Sequence, residues 1–484
     1  EMTRDDALPF TDDAASRLTI AAALHPLRAP YRLALAFDPN AQTTAALQQL
    51  YGSQRDDGGL GWLRDSAYSE PFLTAYALDA LVFARLHGVA VDRDVIARAS
   101  TYLEQTLADP SRYGWCRSDL CKANLRFEAL WALAAAGDRR TDFLSDIVAR
   151  ASDFDSETQI RLARYLLQTP GWQSRGARMA NELQQTLYVT GRYTVANVND
   201  RWDWLGSAVD AQAQMLQLLL ERHAPTEQLD GVVRALLAQQ CRCGWPTLDD
   251  TASALTALSA YAANESLRPS SAAATVGGAK IASAQFGATA STRTFTLRAD
   301  ALHGNAVEIR SGGGTVHYTL LYTYPIPSGA PGQLAAFRVL RQVSVPGATP
   351  VPIATMDLSP APTLAVPAGR VFDVGVRVIV DHPVDRLLIE DPLPAGFEAV
   401  DTTFRTSSQA VLPQTDSWQI DTQQIYRDRV IAYAEHLGPG IYEMHYLVRS
   451  VTPGEYQWPG ARAYLRAAPE QSGRSAPSEL RVTP

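Results

Sequence analysis

The sequence lacks the charge balance of a nucleic-acid-binding protein. Its 43 lysines and arginines are outnumbered by 51 aspartates and glutamates, which gives a formal net charge of -8, whereas a nucleic-acid-binding domain usually has a basic excess. The sequence also lacks any apolar run close to the roughly 18–20 residues that a membrane-spanning helix needs. We therefore expect neither a nucleic-acid partner nor a membrane-spanning segment in this chain.

Cysteine is scarce and falls in two close pairs, Cys116 with Cys121 and Cys241 with Cys243. These spacings are not those of a zinc ribbon and no histidine lies near either pair, which disfavours a metal site. Disulfides are the favoured interpretation, with free thiols as the alternative, and they would indicate an oxidising compartment such as a periplasm. Four cysteines can pair in three ways, and the spacing does not choose among them.

Recognisable catalytic motifs are missing. The eight histidines form no His-Glu-x-x-His motif and no i, i+4 pair, and no glycine-rich phosphate-binding loop follows a predicted strand. We expect no metal, no cofactor and no enzymatic activity. The chain begins at Glu1 without a recognisable signal peptide, and we expect it to be part of a longer polypeptide.

The period of the hydrophobic pattern changes near residue 268. Before this point apolar residues recur at helical spacing, which predicts roughly eleven or twelve helices. After it the period becomes two, and Val374, Val376, Val378 and Val380 place four valines on one strand face. The fold class predicted is a multidomain α + β chain, with an α/α toroid of helical hairpins followed by two β-sandwich modules.

Two stretches mark the predicted boundaries. Serine, alanine, proline and glycine are frequent between Glu265 and Gly278, which predicts a linker. Prolines cluster from Pro346 to Pro367 and indicate a second boundary inside the β half.

A weak repeat runs through the helical half. Gly61-Trp62, Gly114-Trp115 and Gly244-Trp245 each precede an Ala/Leu-rich helix, and Trp202-Asp203-Trp204 stands at the corresponding place in a fourth unit. Helical hairpins that share an entry turn tend to stack or close into a ring, because no single hairpin buries its own apolar face. Each tryptophan is interpreted first as a packing residue at a loop–helix corner, with stacking on a ligand as the alternative.

One stretch, Thr247–Ala252 (TLDDTA), is similar to the DxDDTA motif of class II terpene cyclases. In that family an aspartic acid protonates an alkene, so Asp249 would be the acid and Asp250 its neighbour. The first aspartate of the motif is Thr247 here. The favoured interpretation is a helix start, with one of the two aspartates as N-cap or first-turn acid. A glycosidase would need paired carboxylates, and Asp56, Asp57 and Asp249 are candidates, but the sequence does not pair them.

Several short motifs occur together towards the end of the chain and around the last predicted helix. The matching stretches are Glu390–Glu398 (EDPLPAGFE) for D-x-LPAGFE, Arg427–Val430 (RDRV) for DDRV, Tyr446–Gly454 for Y-x-x-R-x-x-TPG and Trp245–Ala252 (WPTLDDTA) for W-x-ST-x-x-TA.

With these motifs the chain resembles the C-terminal third of bacterial alpha-2-macroglobulins, which are protease inhibitors and not enzymes. The resemblance implies a thioester-like helical domain at 1–268, a CUB-like β module at 269–350 and the last macroglobulin domain at 351–484. It also implies an upstream bait region that proteases cleave, proteases as partners, a role in bacterial defence and a periplasmic or secreted location.

The resemblance implies a thioester site, and the residues there depart from the family pattern. In the family a cysteine and a glutamine of a Cys-x-Glu-Gln motif form the thioester. The matching positions here are Phe10, Asp12 and Asp13, which offer neither a thiol nor a primary amide. The Met-Tyr pair that shields a thioester from water is replaced by Arg466 and Ala467.

These substitutions favour a thioester-less inhibitor that traps a protease non-covalently and sterically after bait cleavage. The alternative is an envelope docking module that binds operon partners or cell-wall synthesis proteins, with protease inhibition vestigial.

Overall fold

The computed structural model describes residues 10–198, 206–240, 244–264, 267–296, 298, 306–314, 316–321, 327, 329–347, 351–359, 362–400, 413–466 and 468–484. The chain forms two compact units, Glu1–Thr319 and Leu320–Pro484. We call the first the helical unit and the second the β-sandwich unit.

Twelve α-helices occur in the described part of the helical unit. They are α1 (Thr11–Leu24), α2 (Arg28–Tyr31), α3 (Pro39–Ser53), α4 (Pro71–Leu86), α5 (Arg93–Ala108), α6 (Asp119–Ala135), α7 (Leu144–Ala149), α8 (Ser156–Leu167), α9 (Gln173–Gln185), α10 (Ala208–Glu221), α11 (Thr226–Ala238) and α12 (Leu248–Asn264). Short 3-10 helices lie at Pro110–Arg112 and Ala151–Asp153, and a hairpin joins β1 (Tyr188–Thr190) to β2 (Tyr193–Val195).

Many of these helices begin at residues that suit a helix start. The side chains of Asp38, Asp92, Ser118, Asp155 and Ser207 each accept a hydrogen bond from a backbone amide in the first turn, which satisfies donors that have no partner inside the helix.

Six helices form a closed inner ring. Going round it, α1 packs on α4, α4 on α6, α8 on α10, α10 on α12, and α12 on α1. The remaining contact, between α6 and α8, includes the Phe127 and Tyr165 rings, whose centroids are 6.2 Å apart. Ser259 of α12 donates a hydrogen bond to the carbonyl of Ala23 in α1 at 3.0 Å. This closure is the predicted α/α toroid.

The helical unit also contains a three-stranded antiparallel sheet in the order β4-β3-β5. Its strands are β3 (Ser270–Val276), β4 (Ala279–Phe286) and β5 (Val307–Gly312). The interpretation of Glu265–Gly278 as a linker is therefore wrong for Ser270–Val276, which is half of its length. The small residues of this stretch pair on both sides as a central strand.

The β-sandwich unit consists of three sheets with a shared apolar core. The sheet orders are β12-β15-β10-β7-β8, β13-β14-β11-β17-β18-β6 and β16-β19-β9, with β19 and β9 parallel. The strands are β6 (Gln333–Leu334), β7 (Arg338–Val345), β8 (Val351–Met356), β9 (Leu364–Pro367), β10 (Val371–Val380), β11 (Val384–Pro392), β12 (Phe397–Val400), β13 (Thr422–Ile425), β14 (Arg429–Leu437), β15 (Gly440–Ser450), β16 (Gly454–Trp458), β17 (Arg462–Leu465), β18 (Ser472–Arg474) and β19 (Ser478–Thr483).

The valine pattern of the sequence corresponds to the middle of this core. Val374, Val376, Val378 and Val380 lie on β10 and are almost fully buried. The boundary expected near residue 350 falls inside the β-sandwich unit, because β7 pairs with both β8 and β10. Of the prolines that suggested it, Pro352 lies within the edge strand β8 and Pro367 ends β9. The unit begins earlier, at Leu320.

Candidate functional site

The first predicted site residue, Phe10, lies directly before α1, in an extended backbone conformation. Its carbonyl accepts a hydrogen bond from the Gln49 side chain at 2.6 Å. The next residue, Thr11, donates its backbone amide to the Trp62 carbonyl at 2.9 Å and its hydroxyl to the Gly61 carbonyl at 2.6 Å. The first glycine–tryptophan turn therefore anchors the start of α1.

Asp12 and Asp13 occupy the first turn of α1, where the helix dipole favours negative charge. Burial raises the pKa of Asp12, and its Oδ1 atom is buried without a hydrogen-bond partner. The side chains of Phe10, Asp12 and Asp13 contain no sulfur and no primary amide. Together they cannot supply the two groups from which an internal thioester is made.

Polar side chains of four helices approach one another inside the ring. The Ser16 hydroxyl of α1 lies 2.8 Å from the Tyr76 hydroxyl of α4. Burial and the charge of Asp249 raise the pKa of Tyr76. Burial and the charge of the same carboxylate also raise the pKa of Asp210.

A cavity of about 290 Å³ lies inside the ring, and all six inner helices contribute to its lining. We call it the toroid cavity. It is at the small end of the range typical of ligand pockets. Its charged lining consists of six acids, Asp79, Glu128, Asp155, Glu157, Asp210 and Asp249, and two arginines, Arg161 and Arg164.

The two arginines of the toroid cavity are held on both sides. Arg161 makes a two-pronged salt bridge to Glu128, with N–O distances of 2.8 and 2.9 Å, and Arg164 bonds Glu221 at 2.7 Å. Both guanidinium groups also lie over the Trp131 ring, at 4.8 and 5.3 Å from its centroid, where the π face attracts cations.

The acids outnumber these cations, and the pKa values of four of the acids are raised. Burial raises the pKa of Glu157 to about 8 and that of Asp249 to about 6. Burial also raises the pKa of Asp79, and it raises the pKa of Asp210 well above the usual range. The cavity therefore stores protons near neutral pH in buried carboxyl groups, alongside the ion pairs that Arg161 and Arg164 make.

The structure separates the two aspartates of the cyclase-like stretch. Asp249 lines the toroid cavity. Asp250 instead accepts a hydrogen bond from the Thr247 amide at 3.1 Å, while its own amide bonds the Thr247 hydroxyl at 2.9 Å. This reciprocal pair is a capping box, so the helix-start interpretation describes Asp250. Asp56 and Asp57 do not line the cavity.

Five of the six cavity acids were not predicted from the sequence: Asp79, Glu128, Asp155, Glu157 and Asp210. The signal that could have found Asp79 is its position in the run Pro71–Leu86, where an acid interrupts an otherwise apolar helix. An acid on the buried side of a helix needs a polar partner, and that need marks a candidate site.

The structure describes one of the two cysteine pairs. Cys116 and Cys121 are joined by a disulfide, with Cα atoms 5.5 Å apart, within the range that a disulfide can bridge. Cys241 and Cys243 lie outside the described residues, as do Trp202, Asp203 and Trp204 of the fourth unit.

Among the described residues of the β-sandwich unit, the most deeply buried ion pair contains Asp391, the first residue of the D-x-LPAGFE motif. Arg341 and Asp391 form a two-pronged salt bridge with neither side chain exposed. The Tyr446 hydroxyl donates to Asp391 at 2.8 Å, Arg341 donates to the carbonyl of Pro459 at 2.6 Å, and the guanidinium lies 4.4 Å from the centroid of the Trp458 ring. Burial raises the pKa of Asp391, and the charge of Arg341 opposes that rise.

Of the two predicted lid positions, Arg466 follows β17 with an exposed side chain. Its backbone amide bonds the Arg386 carbonyl at 3.0 Å. Ala467 lies outside the described residues. The position is therefore occupied by a charged side chain that is exposed to solvent, and this side chain does not form an apolar cover.

The described residues contain no group of three or more His, Cys, Asp or Glu side chains arranged to hold a metal ion. Within those ranges there is likewise no helix long and apolar enough to span a membrane.

Comparison with known proteins identifies the class of this ring-and-sandwich architecture. Residues 337–470 match the family model of the bacterial alpha-2-macroglobulin MG10 domain. The alpha-2-macroglobulin homolog of Nostoc sp. is 38% identical over 489 residues, which cover 100% of this chain and 26% of that protein. The alpha-2-macroglobulin of Escherichia coli is 24% identical over 462 residues, with coverage of 91% and 26%.

Solved structures of the same class are similar as well. The trypsin-activated alpha-2-macroglobulin of E. coli has a TM-score of 0.49 at 21% identity, over 92% of this chain and 30% of that one. The Salmonella protein reacted with methylamine has a TM-score of 0.44 at 22% identity, over 99% and 30%.

The chain belongs to the bacterial alpha-2-macroglobulin family. It spans about a quarter of the length of the curated relatives that it matches, 26% in each case.

Proposed function

We propose that this chain is the C-terminal part of a bacterial alpha-2-macroglobulin that inhibits proteases without a thioester. Cleavage of a bait region elsewhere in the polypeptide changes the shape of the protein, which then holds the protease non-covalently and hinders its access to large substrates. The chain itself is not an enzyme in this proposal.

The observation that carries the proposal is the composition of the first turn of α1. Phe10 stands at the position of the nucleophilic cysteine and Asp13 at that of the glutamine. The turn is nevertheless well anchored, since Gln49 and the Gly61–Trp62 turn hold its backbone. A thioester is therefore not needed to fix this segment, and a steric mechanism needs none.

Arg466 supports the same proposal. A reactive acyl group needs an apolar cover against hydrolysis, because water competes with the intended nucleophile. The residue at the covering position is an exposed arginine, which suits a surface that protects nothing.

A periplasmic or secreted location is part of the proposal. The disulfide between Cys116 and Cys121 supports it, because disulfides persist mainly in oxidising compartments.

The test uses the full-length protein that contains this chain, with and without methylamine. We expect it to slow a protease on a large protein substrate more than on a small peptide, with no change after methylamine treatment. Denaturing electrophoresis should show no covalent adduct between the protease and this chain. A covalent adduct, or inactivation by methylamine, would contradict the proposal.

A matched variant restores the motif through Phe10→Cys, Asp12→Glu and Asp13→Gln. Mass spectrometry of this variant after methylamine treatment is the positive control, because a restored thioester incorporates the amine. If the natural chain also gains the mass of methylamine, the assignment of Phe10 to the nucleophile position is wrong.

The docking alternative predicts a different result. A docking module would retain a specific envelope protein in a pull-down with this chain while the full-length protein leaves protease activity unchanged.

A further inference from the structure

A second concave surface of the helical unit, of about 800 Å³, is dominated by aromatic rings. It lies where two glycine–tryptophan turns approach each other, before α4 and before α6. We call it the aromatic groove. Its aromatic residues are Trp62, Tyr68, Phe72, Tyr102, Tyr113 and Trp115, and its charged residues are Asp57, Glu70 and Arg112.

Two rings of the aromatic groove face solvent to an unusual degree. Tyr68 is 71% exposed and Trp115 is 53% exposed. An isolated exposed ring needs no explanation, but two large ones in one concavity form a patch of the kind that marks binding sites. Tryptophan and tyrosine are also the side chains that most often dominate binding energy.

The exposed indole of Trp115 is held in place from several sides. Its ring centroid lies 5.9 Å from that of Phe72 and 5.9 Å from that of Tyr113. The next residue, Cys116, is buried and tied to Cys121 on α6. A ring fixed in this way loses little conformational freedom on binding, which favours affinity.

Several polar groups of the aromatic groove are already used inside the protein. The Tyr113 hydroxyl donates to the Tyr102 hydroxyl at 3.0 Å and lies 2.7 Å from that of Thr106. Asp57 Oδ1 accepts from the Ser69 hydroxyl at 2.6 Å and from the Gly59 amide at 3.0 Å. A sugar would need many free hydrogen-bonding partners, so the surface suits a ligand that offers rings and few donors.

The charged residues of the aromatic groove further narrow the class of ligand that it suits. Arg112 lies over two rings of the groove, 5.7 Å from the centroid of Tyr102 and 5.5 Å from that of Tyr113. Asp57 accepts its two hydrogen bonds through Oδ1 and, with Glu70, supplies the negative charge of the groove. Burial raises the pKa of Glu70. A cation beside Glu70 would offset the free-energy cost of burying its ionised form. A ligand with one basic group therefore complements the groove.

We propose that the aromatic groove binds a proline-rich peptide segment in the polyproline II conformation, with an arginine or lysine next to the prolines. Proline rings pack against aromatic side chains, and the polyproline II helix is already extended before it binds, so little entropy is lost. The basic residue lies against Asp57 and Glu70. This binding does not depend on protease inhibition and would persist if that function were disproved.

The test measures fluorescence anisotropy of a labelled peptide of repeating Pro-Pro-Ala with one arginine, titrated with the whole chain. We expect saturable binding. Trp115→Ala should weaken it at least about tenfold, and Tyr68→Ala several-fold, as expected for central and peripheral aromatic contacts. Glu70→Gln should weaken the arginine peptide by about threefold, as for a partly exposed ion pair, and leave an arginine-free peptide unchanged.

The matched control is Trp418→Ala, which removes a tryptophan that is 88% exposed but lies in the β-sandwich unit. It should bind as the natural chain does. Far-ultraviolet circular dichroism checks that the groove variants remain folded, and Tyr68→Ala serves if Trp115→Ala does not fold.

Four results would overturn the proposal. They are no binding of the peptide, equal binding of a peptide in which alanine replaces every proline, equal loss in the Trp418 control, and saturable binding of a cell-wall oligosaccharide in place of the peptide.

Discussion

The helical unit and the β-sandwich unit both bury charged side chains, but they balance them differently. In the β-sandwich unit Arg341 forms a salt bridge with Asp391, and the Tyr446 hydroxyl donates a hydrogen bond to the Asp391 carboxylate. In the toroid cavity six acids face two arginines, and burial raises the pKa of Glu157, Asp210 and Asp249. One cluster is an ion pair that keeps its charges, and the other is a set of carboxyl groups that keeps protons.

The difference shows how position decides chemistry. In a one-to-one pair in a dry core both members stay ionised, because loss of either charge would leave the other charge buried without a counter-ion. Where acids are in excess inside a ring of helices, protonation of some carboxyl groups lowers the free-energy cost of burying them. The first cluster should therefore respond to substitution and the second to pH.

The largest expected effect is that of Arg341→Met. The change leaves Asp391 buried without its counter-ion, which typically costs about 3–5 kcal/mol in the free energy of unfolding. Urea unfolding, followed by hydrogen exchange of peptides from β7 and β11, measures it. The double variant Arg341→Met with Asp391→Leu should recover most of the loss, because apolar replacements remove both charges. No difference between the single and the double variant would show that the pair is not coupled.

The second prediction concerns the toroid cavity and pH. Burial raises the pKa of Glu157 from its ordinary value of 4.5 to about 8 in the folded chain, so the folded state binds more protons between these values. Stability should therefore fall as pH rises from about 4.5 to 8, by on the order of 3 kcal/mol. Hydrogen exchange of peptides from α8 at pH 5 and pH 9 measures this.

Glu157→Gln is the matched variant, since its amide cannot ionise. It should equal the natural chain at pH 5 and be the more stable of the two at pH 9. The same pH slope in both proteins would contradict the stored-proton interpretation of the cavity.

A smaller effect is expected at His445 in the β-sandwich unit. Its Nδ1 lies 2.9 Å from Asp373 and its Nε2 3.5 Å from Glu443. Burial opposes the charged imidazole, but the hydrogen bond and charge of Asp373 outweigh it and raise the pKa. A raised histidine pKa gives stability that is complete below about pH 6.5 and is lost as pH rises through the folded value.

We therefore expect His445→Gln to lose roughly 1 kcal/mol of unfolding free energy at pH 5 and much less at pH 9. Hydrogen exchange of peptides from β10 and β15 at both pH values provides the measurement. An equal loss at the two values would assign His445 a packing role only.

The smallest effect is expected for an exposed pair in the same unit. Glu455 bonds Arg481 at 2.8 Å, with side-chain exposures of 73% and 55%. Glu455→Gln should change the unfolding free energy by less than about 0.5 kcal/mol, because water screens such pairs. A cost approaching that of Arg341→Met would show that burial does not set the scale.

Residue spacing predicted much of the architecture. The helical stripes predicted the ring of hairpins, and the alternating valines of β10 predicted a buried strand. Both succeed because burial of one face is a local property of the sequence. The glycine–tryptophan repeat succeeded in part, since Trp245 is buried and donates to the Leu236 carbonyl at 2.9 Å, as a packing residue should, whereas Trp115 is half exposed.

The toroid cavity was not predicted, for a physical reason. Asp79, Glu157 and Asp210 come from three different helices and meet only after the ring closes. The sequence drew attention to Asp249 alone, because its neighbours resemble a short motif. Strand β3 was missed because a run of small residues is typical of a linker, and its pairing partners follow it in the chain.

The disulfide closes a very short loop, with a sequence separation of 5 between Cys116 and Cys121. Chain-entropy estimates give such a loop only about 2 kcal/mol. Its reduction should therefore leave the ring of helices folded while releasing the neighbouring indole. The redox state of the surroundings would then control recognition at this surface and not the integrity of the molecule.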